Sequence, residues 1–211
     1  MSGANDRQTA IPGADWGPGP PMAEAIFASG CFWCTEVDFE KVPGVVDAVS
    51  SYTGGRDADP TYETVAAGGT GHREAVQVVY DPAVVSYEHL LEVFWRTTGY
   101  TDAQGQFCDR GEQSTSAIFV STAEERQLAE ASKAALLESG QVVATPILTA
   151  RKFYPAEEYH QSYASKNPIR YHLYRAACGR SHPSHDSSHT DPEAQRRTSL
   201  CASVSLCEPS V

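Results

Sequence analysis

The sequence predicts an α/β (α+β) fold, a two-layer sandwich in which helices cover one mixed sheet. Three observations carry this expectation. Short apolar runs bounded by glycine or proline alternate with stretches of helical period. Apart from one short helix, the first elements run β-α-β-β-α-β. A hydrophobic share of 41% over 211 residues is enough for one domain with a real core.

The first strand is expected over Ala23–Ser29, around the run Ala25-Ile26-Phe27-Ala28. A helix follows over Cys31–Lys41 and is stopped by Pro43-Gly44. Val45–Thr53 reads as the second strand, ended by Gly54-Gly55, and Thr61–Ala67 as a short helix. Arg73–Tyr80 is the third strand, ended by Asp81-Pro82. Ser86–Thr97 is an amphipathic helix with Leu90, Leu91, Phe94 and Trp95 on one side and Ser86 as its N-cap. A glycine-containing loop, Gly99–Gln113, leads to a strand at Ser116–Val120. The helix Thr122–Ser139 opens on a capping box of Thr122 and Glu125 and closes at Gly140. Val142–Leu148 is the next strand, before an irregular C-terminal region. This order is that of a ferredoxin-like split β-α-β core with additions.

Residues 1–21, rich in Gly, Pro and Ala, read as a flexible lead, 22–180 as one folded domain, and 181–211, rich in Ser, His, Pro and Thr, as a disordered tail. The net charge is −11, from 27 acidic and 16 basic residues, which argues against a nucleic-acid partner. No apolar stretch approaches the roughly 18 residues of a membrane helix. The N-terminus lacks a charged start followed by an apolar run, so a cytoplasmic location is expected; the protein is also expected to be a monomer. In that compartment a C-x-x-C points to redox or metal chemistry rather than a structural bridge.

The chemistry concentrates at Gly30-Cys31-Phe32-Trp33-Cys34, where a strand gives way to a helix. A thiol at a helix N-terminus faces unpaired N–H groups and partial positive charge, which favours thiolate. Phe32 and Trp33 supply an apolar wall. Tyr52 stands beside Gly54-Gly55, Glu74 begins a mostly apolar strand, and Asp109 lies in the long loop. Taken singly, each has a plain reading. The cysteine pair fits redox, metal binding or packing; Glu74 fits a surface carboxylate and Tyr52 a half-buried core residue. Cys108 fits a loop cysteine of no direct role, and His72 and His160 fit structural histidines.

Together the motifs are specific. GCFWC at 30–34, PGV at 43–45, YTGG at 52–55 and TGHREAV at 70–76 are followed by YDP at 80–82 and FCDRG at 107–111. FYPAEEYHQ at 153–161 and KNP at 166–168 complete the series. In this order the chain strongly resembles the A-type peptide methionine sulfoxide reductases over roughly Ile26–Arg180.

The resemblance implies reduction of methionine-(S)-sulfoxide, in proteins and as the free amino acid, as a repair of oxidative damage. It makes Cys31 the nucleophile that attacks the sulfoxide sulfur. Glu74 becomes the acid that protonates the departing oxygen, held protonated by apolar surroundings, and Tyr52 a hydrogen-bond donor to that oxygen. Phe32 and Trp33 would pack the S-methyl group, and Asp109 would hold the substrate backbone or the loop. The products are methionine and a sulfenic acid on Cys31. Cys34 is the favoured resolving thiol, since i and i+3 on a helix have Cα atoms roughly 5 Å apart; Cys178, in Cys178-Gly179-Arg180, is the alternative. Thioredoxin would reopen the disulfide. No bound cofactor or metal is expected.

Two positions depart from the family pattern. Ser114 stands where a second tyrosine is usual, and Gly99-Tyr100 where an Asp-Pro pair is usual. Tyr100 is the expected partial replacement for the missing hydroxyl, with Tyr52 acting alone as the other possibility. Two rival readings compete: a thioredoxin-like dithiol oxidoreductase, using Thr145-Pro146 near the thiols, and a zinc-binding module using Cys31, Cys34, Cys178 and a tail histidine. The first suffers from the distance in sequence, since 146 − 34 = 112 residues separate proline and thiol. In the tail, His182, His185, His189, Cys201 and Cys207 suit a soft metal or a further thiol relay, against a solvated extension without a task.

Overall fold

The computed structural model describes residues 21–180. Apart from Pro21, the expected lead and the expected tail with its His and Cys residues lie outside the described residues.

The strand β1 (Ala23–Ala28) leads into helix α1 (Phe32–Glu40), then β2 (Val45–Thr53), the one-turn helix α2 (Tyr62–Ala66), β3 (Arg73–Tyr80) and α3 (Tyr87–Thr97). A two-residue hairpin, β4 (Gly105–Gln106) and β5 (Asp109–Arg110), precedes β6 (Ala117–Val120), α4 (Ala123–Glu138), β7 (Ile147–Thr149) and β8 (Tyr154–Pro155). Two helices, α5 (Tyr163–Lys166) and α6 (Pro168–Ala177), end the described chain.

The main sheet has the order β7-β6-β1-β3-β2-β8. Its four central strands pair antiparallel in the order 6-1-3-2, the arrangement expected of a split β-α-β core. On one edge β7 adds parallel to β6, which makes the sheet mixed, and on the other β8 adds antiparallel to β2.

Alternation along the strands divides the apolar residues between two faces. Phe27, Val76, Val78, Ile118 and Val120 join the large cluster that also takes in α1, α3 and α4. Ile26, Ala28, Ala75, Ala117 and Phe119 form a smaller cluster covered by Leu148, Ala150 and Phe153. Phe27 is the hinge pin of the larger core, stacked on Phe39 of α1 at 4.8 Å and on Phe94 of α3 at 5.4 Å.

Helix ends follow their sequence signals. Ser86 Oγ accepts from His89 N at 3.2 Å, and Thr122 Oγ1 from Glu125 N at 3.1 Å. The reciprocal arm differs from a strict capping box, because the Glu125 carboxylate accepts from Ser121 N at 2.7 Å, one residue earlier than the N-cap. Gly140 takes a left-handed φ of 85° and ends α4.

Two expectations are corrected. The strand expected over Val142–Leu148 is only Ile147–Thr149. Residues before it bond elsewhere: Ala144 N donates to Tyr100 O at 2.8 Å, and the Thr145 hydroxyl meets Ser116 Oγ at 2.8 Å. The C-terminal region expected to be irregular carries α6, ten residues long with Pro168 in its first turn.

Buried polar ties fix these later helices to α1. Glu36 accepts from Ser50 Oγ of β2 and from Ser162 N before α5, both at 2.6 Å. Asp38 accepts from Arg175 of α6 at 2.7 Å, with both side chains buried. Arg180 donates to Ser29 O at 2.9 Å and to Ser29 Oγ at 3.0 Å.

Candidate active site

The chain turns from β1 into α1 at Gly30, which adopts a left-handed φ of 78°. A Cβ there would lie 2.5 Å from Gln106 Cβ, so glycine alone lets the β4–β5 hairpin pack on the start of α1. Gln106 pairs with Asp109 across the hairpin. The hairpin thereby brings the Asp109 carboxylate to the start of α1, beside Cys31. The next amide, Phe32 N, donates to Glu74 Oε2 at 3.1 Å. The helix-start amide of Phe32 thus holds Glu74 beside the thiol, with Asp109 in the same pocket wall.

Cys31 sits in an open pocket of about 220 Å³. Phe32, Trp33, Glu74, Asp109 and Tyr174 share its wall. Trp33 is fixed on three sides: its ring stacks on Tyr163 at 3.6 Å, Tyr174 meets it edge-on, and its Nε1 donates to His160 Nδ1 at 3.1 Å. Phe32 packs against Tyr52 at 5.8 Å and His160 at 4.9 Å. The result is a rigid apolar wall next to a strip of acid side chains.

Electrostatics divide the two thiols. Burial pushes the Cys31 thiol well up, its hydrogen bond to Cys34 pushes the same way, and the charges of Asp109 and Glu74 add to it. Cys34 moves down to about 7, chiefly through the hydrogen bond it receives from Cys31 against the effect of burial, with Arg180 and Arg175 helping. The expected thiolate at Cys31 is therefore corrected: burial disfavours charge there, and of the two hydrogen-bonded thiols Cys34, helped by Arg180 and Arg175, houses the negative charge better. Burial raises Glu74 to about 8, partly offset by the Phe32 amide and reinforced by the Asp109 charge, so this carboxyl keeps its proton at neutral pH.

The other sequence candidates fall in different places. Tyr52 is the register partner of Glu74 across β2 and β3. Its hydroxyl donates to Glu157 Oε2 at 2.8 Å, and it is 1% exposed behind Phe32 rather than in the pocket wall. Tyr100 does not reach the pocket, a correction: its carbonyl accepts from Ala144 N, its ring meets Trp95 edge-on at 5.8 Å, and its hydroxyl points to Gln141. Ser114 does line the pocket.

Cys178 forms a disulfide with Cys108, across Cα atoms 4.9 Å apart, while Cys31 and Cys34 are free. Cys108 is thus no idle loop cysteine. The bonded Cys178 is also unavailable in this state as a zinc ligand beside Cys31 and Cys34. His72 and His160 have structural bonds: His72 accepts from Gly55 N and its Nε2 meets Asp57 O, whereas burial lowers His160 to about 4 and keeps it neutral as the Trp33 acceptor.

The residue that sequence reading passed over is Tyr174. It is buried in the pocket wall, and its hydroxyl donates to Asp109 Oδ2 at 2.5 Å. The signal for it was spacing: Tyr171, Tyr174, Arg175 and Cys178 recur at i, i+3, i+4 and i+7 and share one helix face.

A buried dithiol beside a carboxyl group that retains its proton is suited to taking oxygen from a small substrate and passing oxidation from sulfur to sulfur. On a split β-α-β sheet this defines a thiol-dependent oxidoreductase. The family model described as peptide methionine sulfoxide reductase matches residues 23–191. The chain is 52% identical over 159 residues to the peptide methionine sulfoxide reductase MsrA of Bacillus licheniformis, covering 74% of this chain and 88% of that protein. It is 52% identical over 157 residues to MsrA 2 of Rhizobium meliloti, covering 74% and 78%. Among solved structures it is similar to reduced Mxr1 of Saccharomyces cerevisiae, with TM-score 0.65, 33% identity and coverage of 70% and 86%. The methionine sulfoxide reductase A of Corynebacterium diphtheriae gives TM-score 0.64 and 32% identity over 72% and 78%. The chain belongs to the peptide methionine sulfoxide reductase family, and with it to the oxidoreductases. Among the described residues, no helix is long and apolar enough to cross a membrane.

Proposed function

We propose that Cys31 reduces methionine-(S)-sulfoxide in oxidised proteins, and the free amino acid, by the following steps. The S-methyl group rests on Phe32 and Trp33, and the sulfoxide oxygen lies toward Glu74. Cys31 sulfur attacks the sulfoxide sulfur while its proton passes to Cys34. Glu74 protonates the oxygen, which moves to Cys31 as methionine leaves, giving a sulfenic acid. Tyr174, the buried phenol in the pocket wall, supplies the hydroxyl expected of Tyr100 by exchanging its bond to Asp109 for one to the sulfoxide oxygen. Asp109 orients it, and Tyr52 holds the Glu157 side of the wall behind Phe32.

Cys34 then attacks the Cys31 sulfenic acid, forming the Cys31–Cys34 disulfide and releasing water. A dithiol protein of the thioredoxin class restores the thiols by exchange. The reading places this cycle in a cytoplasmic monomer.

One observation carries the reading: the Cys31 thiol shares its pocket with a Glu74 carboxyl that burial keeps protonated at neutral pH. A single turnover with a methyl sulfoxide and no reductant is expected to leave Cys31 oxidised, and Cys31→Ser is expected to lose at least about 10³-fold in rate. Finding Cys31 still a free thiol after sulfide has formed, or full activity in Cys31→Ser, removes the reading.

A further inference from the structure

One buried cluster has no part in the mechanism above. Arg175 of α6 and Arg180 just beyond it are each 4% exposed. A guanidinium stays charged when buried, so the pair brings two positive charges against α1. Asp38 is the carboxylate bonded to them: it accepts from Arg175 at 2.7 Å and from Arg180 at 3.5 Å. Their other bonds go to neutral groups, the Tyr171 hydroxyl for Arg175 and Ser29 O and Oγ for Arg180. The Nε of each arginine is buried without a hydrogen-bond partner. One positive charge and two N–H donors are left over in the interior, where an unbalanced charge is strongly disfavoured.

The excess lies at Cys34. Cys34 and Asp38 stand at i and i+4 and share one face of α1. Arg180 spans that face, from Ser29 before the helix to Asp38 one turn beyond Cys34. The Ser29 hydroxyl also meets Thr35 Oγ1 at 2.6 Å, and Thr35 donates to Cys31 O, so the guanidinium is anchored to the turn that carries both thiols. Other groups do not balance the charge. Glu36 is turned to Ser50 and Ser162, Glu74 keeps its proton at neutral pH, and Asp109 stands beside Cys31 in the pocket wall. Burial keeps the Tyr171 and Tyr174 phenols protonated, and Lys41 at the end of α1 adds positive charge near Arg175. Among the described residues, the buried Cys34 sulfur is the group left to carry the negative charge.

We propose that Arg180 and Arg175 are positioning residues for the thiol pair: their excess charge holds Cys34 as a thiolate in the reduced protein, and Asp38 sets how strongly. This rests on the reading in which Cys34 takes the Cys31 proton and later attacks the sulfenic acid. The anion is kept on the sulfur outside the substrate pocket, where it serves first as base. Glu74 gives one proton to the sulfoxide oxygen, and Cys34 gives the proton it took from Cys31 to the departing hydroxide as the disulfide closes. The two protons of the released water thus come from Glu74 and Cys31. Two electrons pass from the thiols to the sulfoxide, and the negative charge moves from Cys34 to Glu74.

The test uses the full chain carrying Cys201→Ser and Cys207→Ser, with the Cys108–Cys178 bridge closed, so that Cys31 and Cys34 are the two free thiols. Thiolate is followed by its ultraviolet absorbance against pH. One thiolate with a midpoint at about 7 is expected, and it should be missing in Cys34→Ser. Arg180→Gln is expected to raise the midpoint by about one pH unit or more, and Asp38→Asn to lower it by a similar amount. Arg180→Lys, which keeps the charge, should stay within about half a unit of wild type. The acid limb of kcat/KM is expected to move with each midpoint, in opposite directions for Arg180→Gln and Asp38→Asn; general loosening of the fold would not produce that reversal. A wild-type Cys34 still protonated at about pH 8 overturns the proposal, whether or not the variants fold. A folded Arg180→Gln with an unchanged midpoint overturns it too. A thiolate that titrates and shifts as expected in a chain that forms no sulfide from a methyl sulfoxide supports the arginine assignment and removes the Cys31 reading.

Discussion

The pocket has two unlike walls. The inner wall, made of the α1 start with β2 and β3, is placed by local structure: a turn at Gly30, the amide at 32, and one cross-strand register. The outer wall, made of the β4–β5 hairpin and α6, is placed by ties between residues far apart in sequence. These are the Cys108–Cys178 bridge, the Tyr174–Asp109 hydrogen bond, and the buried ion pair of Arg175 with Asp38. The difference suggests a division of labour: the inner wall performs the chemistry, and the outer wall aims it and connects it to the outside.

The sharpest way to break this division is at Glu74. Glu74→Gln is expected to lower kcat/KM by about 10³-fold, the loss of a positioned general acid. The acid is active while protonated and Cys34 accepts a proton only as thiolate, so the wild-type rate should rise with pH through about 7 and fall as pH rises through about 8, where Glu74 ionises. In Glu74→Gln that alkaline limb should be missing from the pH profile. If it remains, the proton comes from elsewhere.

The outer wall is probed next through its anchor. Arg175→Met strips buried Asp38 of its 2.7 Å partner and is expected to cost about 3 kcal/mol of unfolding free energy in urea titration. A loss below about 1 kcal/mol would mean that Arg180 alone suffices to hold α6. Smaller in effect is Tyr174→Phe, which removes one hydroxyl from the pocket wall and is expected to reduce kcat by about 10²-fold with KM little changed. The least effect belongs to Tyr100→Phe, with kcat/KM expected within about twofold of wild type because its ring and hydroxyl are engaged near Trp95 and Gln141. A large fall there would return Tyr100 to the chemistry.

The same contrast governs what could be read from the sequence. The inner wall was legible because its signals are local: β2 and β3 run over the expected residues, and α1 starts one residue after the cysteine expected to open it. What local reading overlooked there is the depth of the site, since burial and the bond to Cys34 overrule the expected thiolate at Cys31. The outer wall was harder. α6 hides its inward stripe because Ile169 and Leu173, 77% and 63% exposed, place apolar residues on the outward face as well. Two-residue strands such as β4 and β5 leave no periodicity to detect. Tyr100 was nominated by neighbourhood in sequence, yet its carbonyl is tied to residues 144 and 145 on the far side of the loop. Nor does spacing reveal a bridge that spans 70 residues.

Tyr52 and Glu74 face each other across two strands in register. Because side chains alternate with the pleat, a slip of one position would turn the carboxyl toward the opposite surface. The acid therefore does not ride on a lid or swing on a hinge; its aim is inherited from strand pairing and persists whether or not substrate is present. Proton delivery is therefore ready before the oxidised side chain arrives.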